Sequence, residues 1–514
     1  MWRGAGLTGS VWLTGGVVLA SGAGAVTYAV ASPVAPAQAA PAGGPAVRAG
    51  QSKGRAAQTA PAPPGRSAET VPAPPGRARP HPAPPTSDYN RDGVPDLAAG
   101  TPRAGSVTVV PGGADGPAAR SGRTLTQNSP GVPGSSEPGD GFGAATAWGD
   151  VNGDGYADLA IGAPGKDGTS GHADRGAVTV LYGPGLDSGF SYSTPGAAGA
   201  RLGSAVAVGD FDGDGKADVF SAGTGRGGSW NVRLTGGATT SGTLTGATGP
   251  VARPDAVSGD FDRDGYADVA LTYLDAGGVG RVVRFAGSAT GLTEAGTLAV
   301  KGGRSLAAGD ISGDGYDDIV VGQPYASESG GAPGGQVSVL LGTAHGLTTD
   351  GLKVIRQDGV GVAGADRPGV AFGASVAVGD VDADGHADVL VGAPGEAFTR
   401  DGVRRAGAGQ ATLLRGTATG PTVSGSFTLC QDTPGVLDST ERGDRFGSAV
   451  ALADLSGTGR AGLVLGAEGE DSGDGLLLFV PVERTGFGLA RTVALRATAL
   501  GTPPGARLGQ TLAP

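Results

Sequence analysis

Oxygen-bearing side chains recur in this sequence at fixed places of a short loop. In the stretch 150–158 they occupy the first, third, fifth and ninth places, and Gly155 occupies the sixth. Hard cations such as Ca²⁺ prefer several oxygen ligands at short range, and a backbone carbonyl at the seventh place completes such a shell. Glycine at the sixth place permits the sharp turn that the loop needs. The spacing therefore predicts a Ca²⁺ site.

The same loop occurs six times, which predicts about six Ca²⁺ per chain. We number the copies loops one to six. The predicted ligands, from the first, third, fifth, seventh (backbone carbonyl) and ninth places, are Asp88, Asn90, Asp92, Val94 and Asp96; Asp150, Asn152, Asp154, Tyr156 and Asp158; Asp210, Asp212, Asp214, Lys216 and Asp218; Asp260, Asp262, Asp264, Tyr266 and Asp268; Asp310, Ser312, Asp314, Tyr316 and Asp318; and Asp380, Asp382, Asp384, His386 and Asp388.

A seventh copy, loop seven, begins at Asp454 and has lost part of the ligand set. It keeps Gly459 at the sixth place but has Thr458 at the fifth place and Gly462 at the ninth. We expect it to fold as the same turn without a metal ion. In loop five, Ser312 replaces the amide or carboxylate of the third place, and we expect weaker metal binding there.

The segments that flank the loops indicate strands. Runs such as 375–379 and 389–393 alternate small or apolar residues and are bounded by Gly, Pro and Asp, which is typical of strands joined by turns. An EF-hand would instead need flanking helices and a glutamate at the twelfth place. The twelfth places here hold Ala99, Ile161, Ser221, Leu271, Val321 and Val391. The EF-hand interpretation is therefore rejected.

Two further motifs recur in register with the loops. Phe-Gly or Leu-Gly precedes several of them, as in Phe142-Gly143 and Phe372-Gly373, and Gly-Ala-Pro-Gly follows at 162–165 and 392–395. Repeats of this composition resemble the FG-GAP repeats of the integrin alpha-subunit head and its bacterial relatives, over roughly 88–514. The resemblance implies an all-β fold, a seven-bladed β-propeller of four-stranded antiparallel blades. It also implies calcium in the hairpin loops between the first two strands of a blade, opposite the usual ligand-binding face.

The ends of the repeat region predict how the ring closes. The first copy begins at Asp88 without a Phe-Gly segment, whereas Leu508 stands eight residues before the place where a further loop would start. Propellers protect their sheet edges, because exposed edges invite aggregation. We therefore predict that 507–514 is the inner strand of the first blade.

The N-terminal part predicts export. Residues 1–39 combine Arg3, an apolar Gly-rich stretch and Ala37-Gln38-Ala39, which is typical of a cleaved signal peptide. An uncleaved anchor is the alternative, because the stretch approaches the roughly 20 residues of a membrane span. Residues 40–87 are rich in Pro, Ala and Gly and are predicted to be a disordered spacer, and 88–514 to be the propeller. The expected location is extracellular, secreted or tethered to the cell surface through the N-terminus.

Charge narrows the possible partners. The chain carries a net charge of −11, and residues 1–87 contain seven Lys or Arg and one acidic residue, which leaves −17 for the remainder. Such an acidic domain argues against nucleic-acid binding. Carboxylates that converge in one loop repel each other unless a cation neutralises them. Because Cys430 is the only cysteine, no intrachain disulfide forms, and we expect metal ions to cross-link the domain instead.

Two functional hypotheses follow. The first is a monomeric binding or adhesion module for an extracellular protein or glycan, which contacts its ligand through the long connections at 166–175, 327–335 and 396–409. The alternative is an extracellular hydrolase or lyase with a pocket on the propeller axis. The chain has no His-Glu-x-x-His motif and no P-loop, and its Gly-x-Ser-x-Gly match at 50–54 lies in the predicted spacer and not in a strand-to-helix elbow, so we expect no catalysis. We also expect no transmembrane segment after the N-terminal stretch.

Arg442-Gly443-Asp444 matches the RGD tripeptide of cell adhesion. Gly139-Asp140 stands at the same place before Phe142. We therefore interpret the tripeptide as part of the repeat, because short motifs often match by chance.

Overall fold

The computed structural model describes residues 87–168, 172–193, 198–358 and 361–514. The predicted signal peptide and almost all of the predicted spacer lie outside these residues. Strands make up 43% of the structure and helices 4%, which confirms the all-β prediction. Seven four-stranded antiparallel sheets stand in a ring and form a β-propeller.

Each blade is a meander in which neighbouring strands pair in chain order, from the first strand at the axis to the fourth at the rim. The first strands of blades one to seven are Thr511–Ala513, Thr146–Gly149, Ala205–Gly209, Ala252–Gly259, Ser305–Gly309, Ser375–Gly379 and Phe446–Ala453. The second strands are Leu97–Thr101, Asp158–Ala163, Asp218–Gly223, Asp268–Leu274, Asp318–Gln323, Asp388–Ala393 and Gly462–Ala467.

The two outer strands of each blade complete the sheets. The third strands are Ser106–Val110, Ala177–Leu181, Ser229–Arg233, Gly280–Ala286, Gln336–Leu341, Gln410–Arg415 and Leu476–Val480. The fourth strands are Arg123–Thr126, Gly189–Tyr192, Thr239–Thr243, Thr293–Thr297, Thr348–Arg356, Thr422–Leu429 and Val493–Arg496.

Small elements decorate the connections. Two extra hairpins pair Phe398–Arg400 with Val403–Arg405 and Val482–Glu483 with Gly486–Phe487. The helical turns are Ala119–Ser121, Ala326–Ser329, Glu470–Gly473, Leu489–Arg491 and Ala497–Leu500. In the described part of the chain, no helix has the length and apolar character that a bilayer crossing requires.

The core lies between neighbouring blades. All residues of the second strands are buried, because each of these strands is covered on both faces by adjacent blades. Phe142, which precedes blade two, packs against Ala98 and Val107 of blade one. Phe372 at the start of blade six and Phe446 at the start of blade seven occupy the equivalent places, and both are fully buried. The Phe of the Phe-Gly motif is thus a wedge between blades.

The glycines of the two recurring motifs meet across the same boundary. A Cβ atom built on Gly162 of blade two would overlap the carbonyl oxygen of Gly203, which precedes blade three. The same overlap joins Gly392 to Gly447. Gly203 and Gly447 have φ values of +85° and +80°, which side chains rarely adopt. Phe-Gly and Gly-Ala-Pro therefore recur together because each supplies half of a close contact between backbones.

The ring closes as the sequence predicts, although the closing strand is shorter than 507–514. Thr511–Ala513 pairs antiparallel with Leu97–Thr101, with Leu512 opposite Ala99. The Trp148 indole of blade two donates a hydrogen bond to the Ala513 carbonyl at 3.2 Å. Leu508 lies outside the strand and forms a parallel bridge to Gly475 of blade seven. The C-terminal segment thus joins blades one, two and seven.

The glycine contact predicts a steric cost that depends on position. Gly392→Ala should lower the thermal midpoint, because the new methyl group overlaps the Gly447 carbonyl, and overpacking of this kind costs roughly 1–3 kcal/mol. Gly236→Ala is the matched control, because a Cβ there meets no atom within 4 Å. Equal thermal midpoints for the two variants, measured by circular dichroism, would contradict the packing role.

Candidate metal centre

All seven loops lie on one face of the ring. Loops two to seven connect the first and second strands of their blades, and loop one leads into the second strand of blade one. The connections from the second to the third strands leave the opposite ends of the same strands. We call the two sides the hairpin face and the connection face. The segments 166–175, 327–335 and 396–409 belong to the connection face, where the sequence analysis expects ligand contact; residues 169–171 of the first segment lie outside the described residues.

The aspartate at the first place shapes each loop. In loop two, Asp150 Oδ1 accepts hydrogen bonds from the Gly153 and Asp154 amides at 2.7 and 3.0 Å, and Oδ2 accepts one from the Gly155 amide at 2.8 Å. The bond from the sixth-place glycine to the first aspartate recurs in all seven loops. The sixth-place glycines of loops one to six have φ between +86° and +88°. The turn is therefore built by the chain itself.

The third and fifth places turn their oxygens toward the same turn. Asn152 Oδ1 accepts a hydrogen bond from the Asp154 amide at 2.9 Å, and Asn90 does the same for Asp92. The fifth-place carboxylate accepts the amide of the seventh residue in each of loops one to six, at 2.9–3.1 Å. These seventh-place donors are Val94, Tyr156, Lys216, Tyr266, Tyr316 and His386. Their predicted role as carbonyl ligands stays a prediction.

The ninth-place aspartate is buried in every one of loops one to six. Asp158 accepts hydrogen bonds from the Val151 amide at 2.9 Å through Oδ2 and from the Gly183 amide at 2.9 Å through Oδ1. It therefore fastens the loop to the end of the third strand. Burial raises the pKa of this carboxyl group to about 6 in Asp158 and Asp388, about 7 in Asp96, Asp218 and Asp318, and about 8 in Asp268. The fold holds a carboxylate where a negative charge is costly.

Three loops bring three carboxylate oxygens within 4.8 Å of one another and could hold a metal ion. These groups are Asp210, Asp212 and Asp218; Asp260, Asp262 and Asp264; and Asp380, Asp382 and Asp388. In loops one, two and five, the described residues form no such carboxylate group; their third places hold Asn90, Asn152 and Ser312.

Several ligand oxygens have no hydrogen-bond donor. Asp262 Oδ1 and Asp268 Oδ2 in loop four, Ser312 Oγ in loop five and Asp382 Oδ1 in loop six are buried without a partner among the described residues. A buried oxygen without a partner costs free energy, and a bound cation would satisfy it. The loops therefore fit a cation with oxygen ligands.

Backbone hydrogen bonds link the loops into a chain around the hairpin face. The amide of the eighth residue donates to the carbonyl of the first aspartate in the preceding loop, as Ala157 does to Asp88 at 3.1 Å. The donors in the other five links are Ala217, Ala267, Asp317, Ala387 and Ala461, at 2.9–3.1 Å. Loop one has Pro95 at the eighth place, which has no amide hydrogen, so the chain of links stops between loops seven and one.

Loop seven folds as expected. It connects Phe446–Ala453 with Gly462–Ala467, and Asp454 accepts the Thr458 amide at 2.9 Å. Its hairpin geometry is preserved although two ligand positions are lost. The turn thus forms with only the first aspartate and the glycine of the pattern, so the further carboxylates of loops one to six are not required to build it.

The propeller axis holds a channel of about 710 Å³, lined mainly by small and apolar side chains of the first strands. The charged residues among its described lining are Arg253, Asp255 and Arg304, all from blades four and five. Asp255 Oδ2 accepts the Leu306 amide at 2.8 Å and Oδ1 accepts the Ala256 amide at 3.1 Å. Burial raises the pKa of Asp255 to about 6. The loop pattern in the sequence does not point to Asp255. Its signal is a charged residue at a place where the other repeats have Ser, Thr or Ala.

The RGD tripeptide is not displayed as a unit. Asp444 is only 2% exposed, and its carboxylate accepts a hydrogen bond from the Glu441 amide. Its carbonyl accepts the Gly469 amide at 3.0 Å, as the Asp140 carbonyl accepts the Gly165 amide at 2.8 Å in blade two. The aspartate is therefore a buried part of the repeat.

Comparison with protein families finds FG-GAP repeats at residues 142–181, 202–243, 302–340 and 372–414. A search of curated proteins finds no match to the chain. The four matches fall on blades two, three, five and six, and the seven-bladed ring matches an integrin alpha-like propeller. Such a fold is in general a binding module.

The buried ninth-place carboxyls predict the pH dependence of the metal-free chain. A raised folded-state pKa means that the folded chain binds more protons than the unfolded chain between about pH 4 and the raised value, so stability falls as pH rises through about 6 to 8. In excess EDTA, the thermal midpoint should fall between pH 5.5 and 8.5. Asp268→Asn removes the group with the highest of these pKa values and should flatten this slope. A midpoint that rises over this range would contradict the assignment.

Proposed function

We propose that this chain, an FG-GAP-repeat β-propeller of the integrin alpha-like type, is a calcium-braced extracellular binding module. The observation that supports this most is the division between its two faces. The hairpin face repeats one oxygen-rich loop six times, whereas the connection face carries long segments that differ from blade to blade. A braced scaffold that presents variable loops is suited to recognition.

The donor chemistry supports Ca²⁺ as the ion. The side chains that face each turn are carboxylates, an amide or a hydroxyl, all of them oxygen donors. Ca²⁺ accepts six to eight such ligands in flexible geometry, whereas Mg²⁺ requires a near-ideal octahedron and softer metals prefer nitrogen or sulfur. The bound ion would neutralise buried carboxylates and would tie each loop to the third strand through the ninth-place aspartate.

The connection face supports contact with a protein or a glycan. Its segments include the helical turn Ala326–Ser329 and the hairpin 398–405, in which Val403 is 52% exposed. Ion pairs hold the bases of these segments: Arg304 with Glu328, and Arg367 with Glu396 at 3.2 Å. Fixed bases and exposed tips allow a loop to bind without a large loss of conformational entropy.

The expected export signal and the acidic charge of the propeller support an extracellular setting, secreted or tethered through the N-terminus. We propose that the chain acts as a monomer and that its ligand is an extracellular protein or glycan and not a nucleic acid. The axial channel gives the hydrolase alternative one carboxylate, Asp255, with both oxygens bonded to backbone amides. Hydrolysis of glycosides generally uses two carboxyl groups, and no histidine of the described residues lines the channel. We therefore do not propose a hydrolase.

Calcium should stabilise the full chain. Binding to the folded state alone contributes about 2.7 kcal/mol per site when free calcium is one hundred times Kd. The thermal midpoint should therefore be clearly higher in calcium than in EDTA, and metal analysis should find about six Ca²⁺ per chain. Equal midpoints, or two or fewer bound ions, would contradict the proposal.

Single-site variants test the ligand assignments. Asp154→Asn and Asp384→Asn should each lower the calcium-loaded midpoint and weaken one site. Thr458→Ala in loop seven is the matched control and should leave metal stoichiometry unchanged. Metal loss in the control, or none in the two aspartate variants, would show that the loops are assigned wrongly.

The connection face should carry ligand binding. We expect the calcium-loaded full chain to bind on a glycan array or to a panel of extracellular matrix proteins. Arg404→Ala on the exposed hairpin 398–405 should weaken that binding, whereas Arg484→Ala on the hairpin face should not. The reverse pattern would assign recognition to the hairpin face.

A further inference from the structure

Loop six differs from the other calcium loops because a guanidinium group sits on its ligands. Arg415 Nη1 lies 2.9 Å from Asp382 Oδ2 and 3.1 Å from Asp388 Oδ2. Both carboxylates belong to the group whose oxygens lie within 4.8 Å of one another together with Asp380. The charge that would compete with a metal ion is thus part of the chain.

The position of Arg415 is specific to blade six. It ends the third strand and precedes Gly416, whose amide donates to Asp388 Oδ1 at 2.8 Å. The residues that precede the equivalent amide donors in blades one to five carry no charge. They are Pro111, Tyr182, Leu234, Ala286 and Leu341.

Loop four offers an instructive contrast. Its nearest arginine, Arg284, lies 3.9 Å from Asp262 and donates instead to the His345 carbonyl at 3.1 Å. Arg284 therefore makes only a long contact with one ligand. Arg415 bonds two ligands at hydrogen-bond distance, and a cation bound by both oxygens would have to displace it.

An aromatic platform holds the other side of the guanidinium group. The Arg415 Cζ atom lies 5.8 Å from the centre of the Phe487 ring, and Phe487 stacks on Phe427 with 4.3 Å between ring centres. Phe487 belongs to the extra hairpin of blade seven. A guanidinium released from the carboxylates can stay on an aromatic face, because the ring quadrupole attracts a cation.

We propose that Arg415 is a built-in competitor for calcium at loop six. Loops three, four and six each have four carboxylates among their predicted ligands, and the competition makes loop six the weakest and the most calcium-responsive of the three. At low calcium the guanidinium group bonds Asp382 and Asp388 and closes the loop. At high calcium the ion takes both carboxylates, and Arg415 moves away from them. This inference rests on the proposed calcium binding and adds regulation to it: loops three and four brace the ring, and loop six responds to the calcium concentration.

The electrostatic effect has a definite size. A single positive charge about 5 Å from a divalent cation weakens its binding on the order of tenfold, even with the dielectric constant of water. Removal of the charge should therefore tighten one site about tenfold and leave the number of sites unchanged. Because Asp382 is partly exposed, its release from Arg415 needs no unfolding of the blade.

The test compares the full-length chain with Arg415→Met, which keeps the side-chain stem on Phe487 and removes the charge. Isothermal titration with calcium should resolve a weak site for loop six beside that expected for loop five in the parent chain, and one of these two sites should tighten about tenfold in the variant. Arg415→Lys, which keeps a charge, should resemble the parent chain. Arg233→Met is the matched control: Arg233 also ends a third strand on aromatic rings, 5.0 Å from the centre of Phe190.

A second measurement reports the movement of Arg415 itself. Phe487→Trp places an indole beside the guanidinium group, and its fluorescence should change over the calcium range that fills the weak site. In the double variant that combines Phe487→Trp with Arg415→Met, the fluorescence change over this calcium range should disappear.

The outcomes separate this inference from the calcium proposal. Unchanged calcium affinities in Arg415→Met, or loss of a site while the circular dichroism spectrum stays native, would overturn the role of Arg415 and leave the calcium-braced propeller standing. A parent chain that binds no calcium would overturn both. A tightened single site in Arg415→Met, with no change in Arg233→Met, supports the built-in competitor.

Discussion

A buried aspartate at the ninth place of loops one to six is the constraint on which the hairpin face depends. One carboxylate, as in Asp158, accepts amides from the loop and from the end of the third strand, so it joins three segments of a blade. The same burial raises its pKa, because a carboxylate loses solvation there. The group that organises the loop is therefore electrostatically costly by itself. A cation at the centre of the loop, as we propose, would resolve this conflict and would account for the shared pattern of six loops.

Contacts between blades carry this local order around the ring. Amide-to-carbonyl links join loops one to seven in sequence, and glycine pairs join the connection-face ends of neighbouring blades. The boundary between blades seven and one lacks this eighth-place link, because Pro95 cannot donate, and loop seven has lost two of the predicted ligand side chains. There the C-terminal segment secures the closure, because Leu508 bridges Gly475 of blade seven and Thr511–Ala513 completes the sheet of blade one. The order of the ring thus rests on two features: the repeated loops of blades one to six, and the C-terminal segment that joins blade seven to blade one.

Departures from the repeat mark the places where the blades become individual. Arg253 and Asp255 bring charge to an axial channel whose other lining residues are mostly small and apolar, and Arg415 brings a positive charge to loop six. The RGD tripeptide shows the opposite case. It looks individual in the sequence, yet Asp444 serves the same buried hydrogen bond as Asp140. Whether a short motif is available to a partner depends on whether its side chains reach solvent.

The sequence by itself determined the loop pattern, the number of blades, the strand-rich fold and the closing segment, because these follow from local spacing and from repetition. Gly155 permits the sharp turn of its loop through local backbone geometry alone. Leu508 could be placed by its distance from the position where a further loop would start. Only the tertiary structure decided which side chains meet across blades, because such contacts join residues far apart in the chain. It shortened the closing strand to Thr511–Ala513, buried Asp444 and placed Arg415 on Asp382 and Asp388. Spacing along a chain specifies a turn, whereas the electrostatics of a site depends on everything that folds around it.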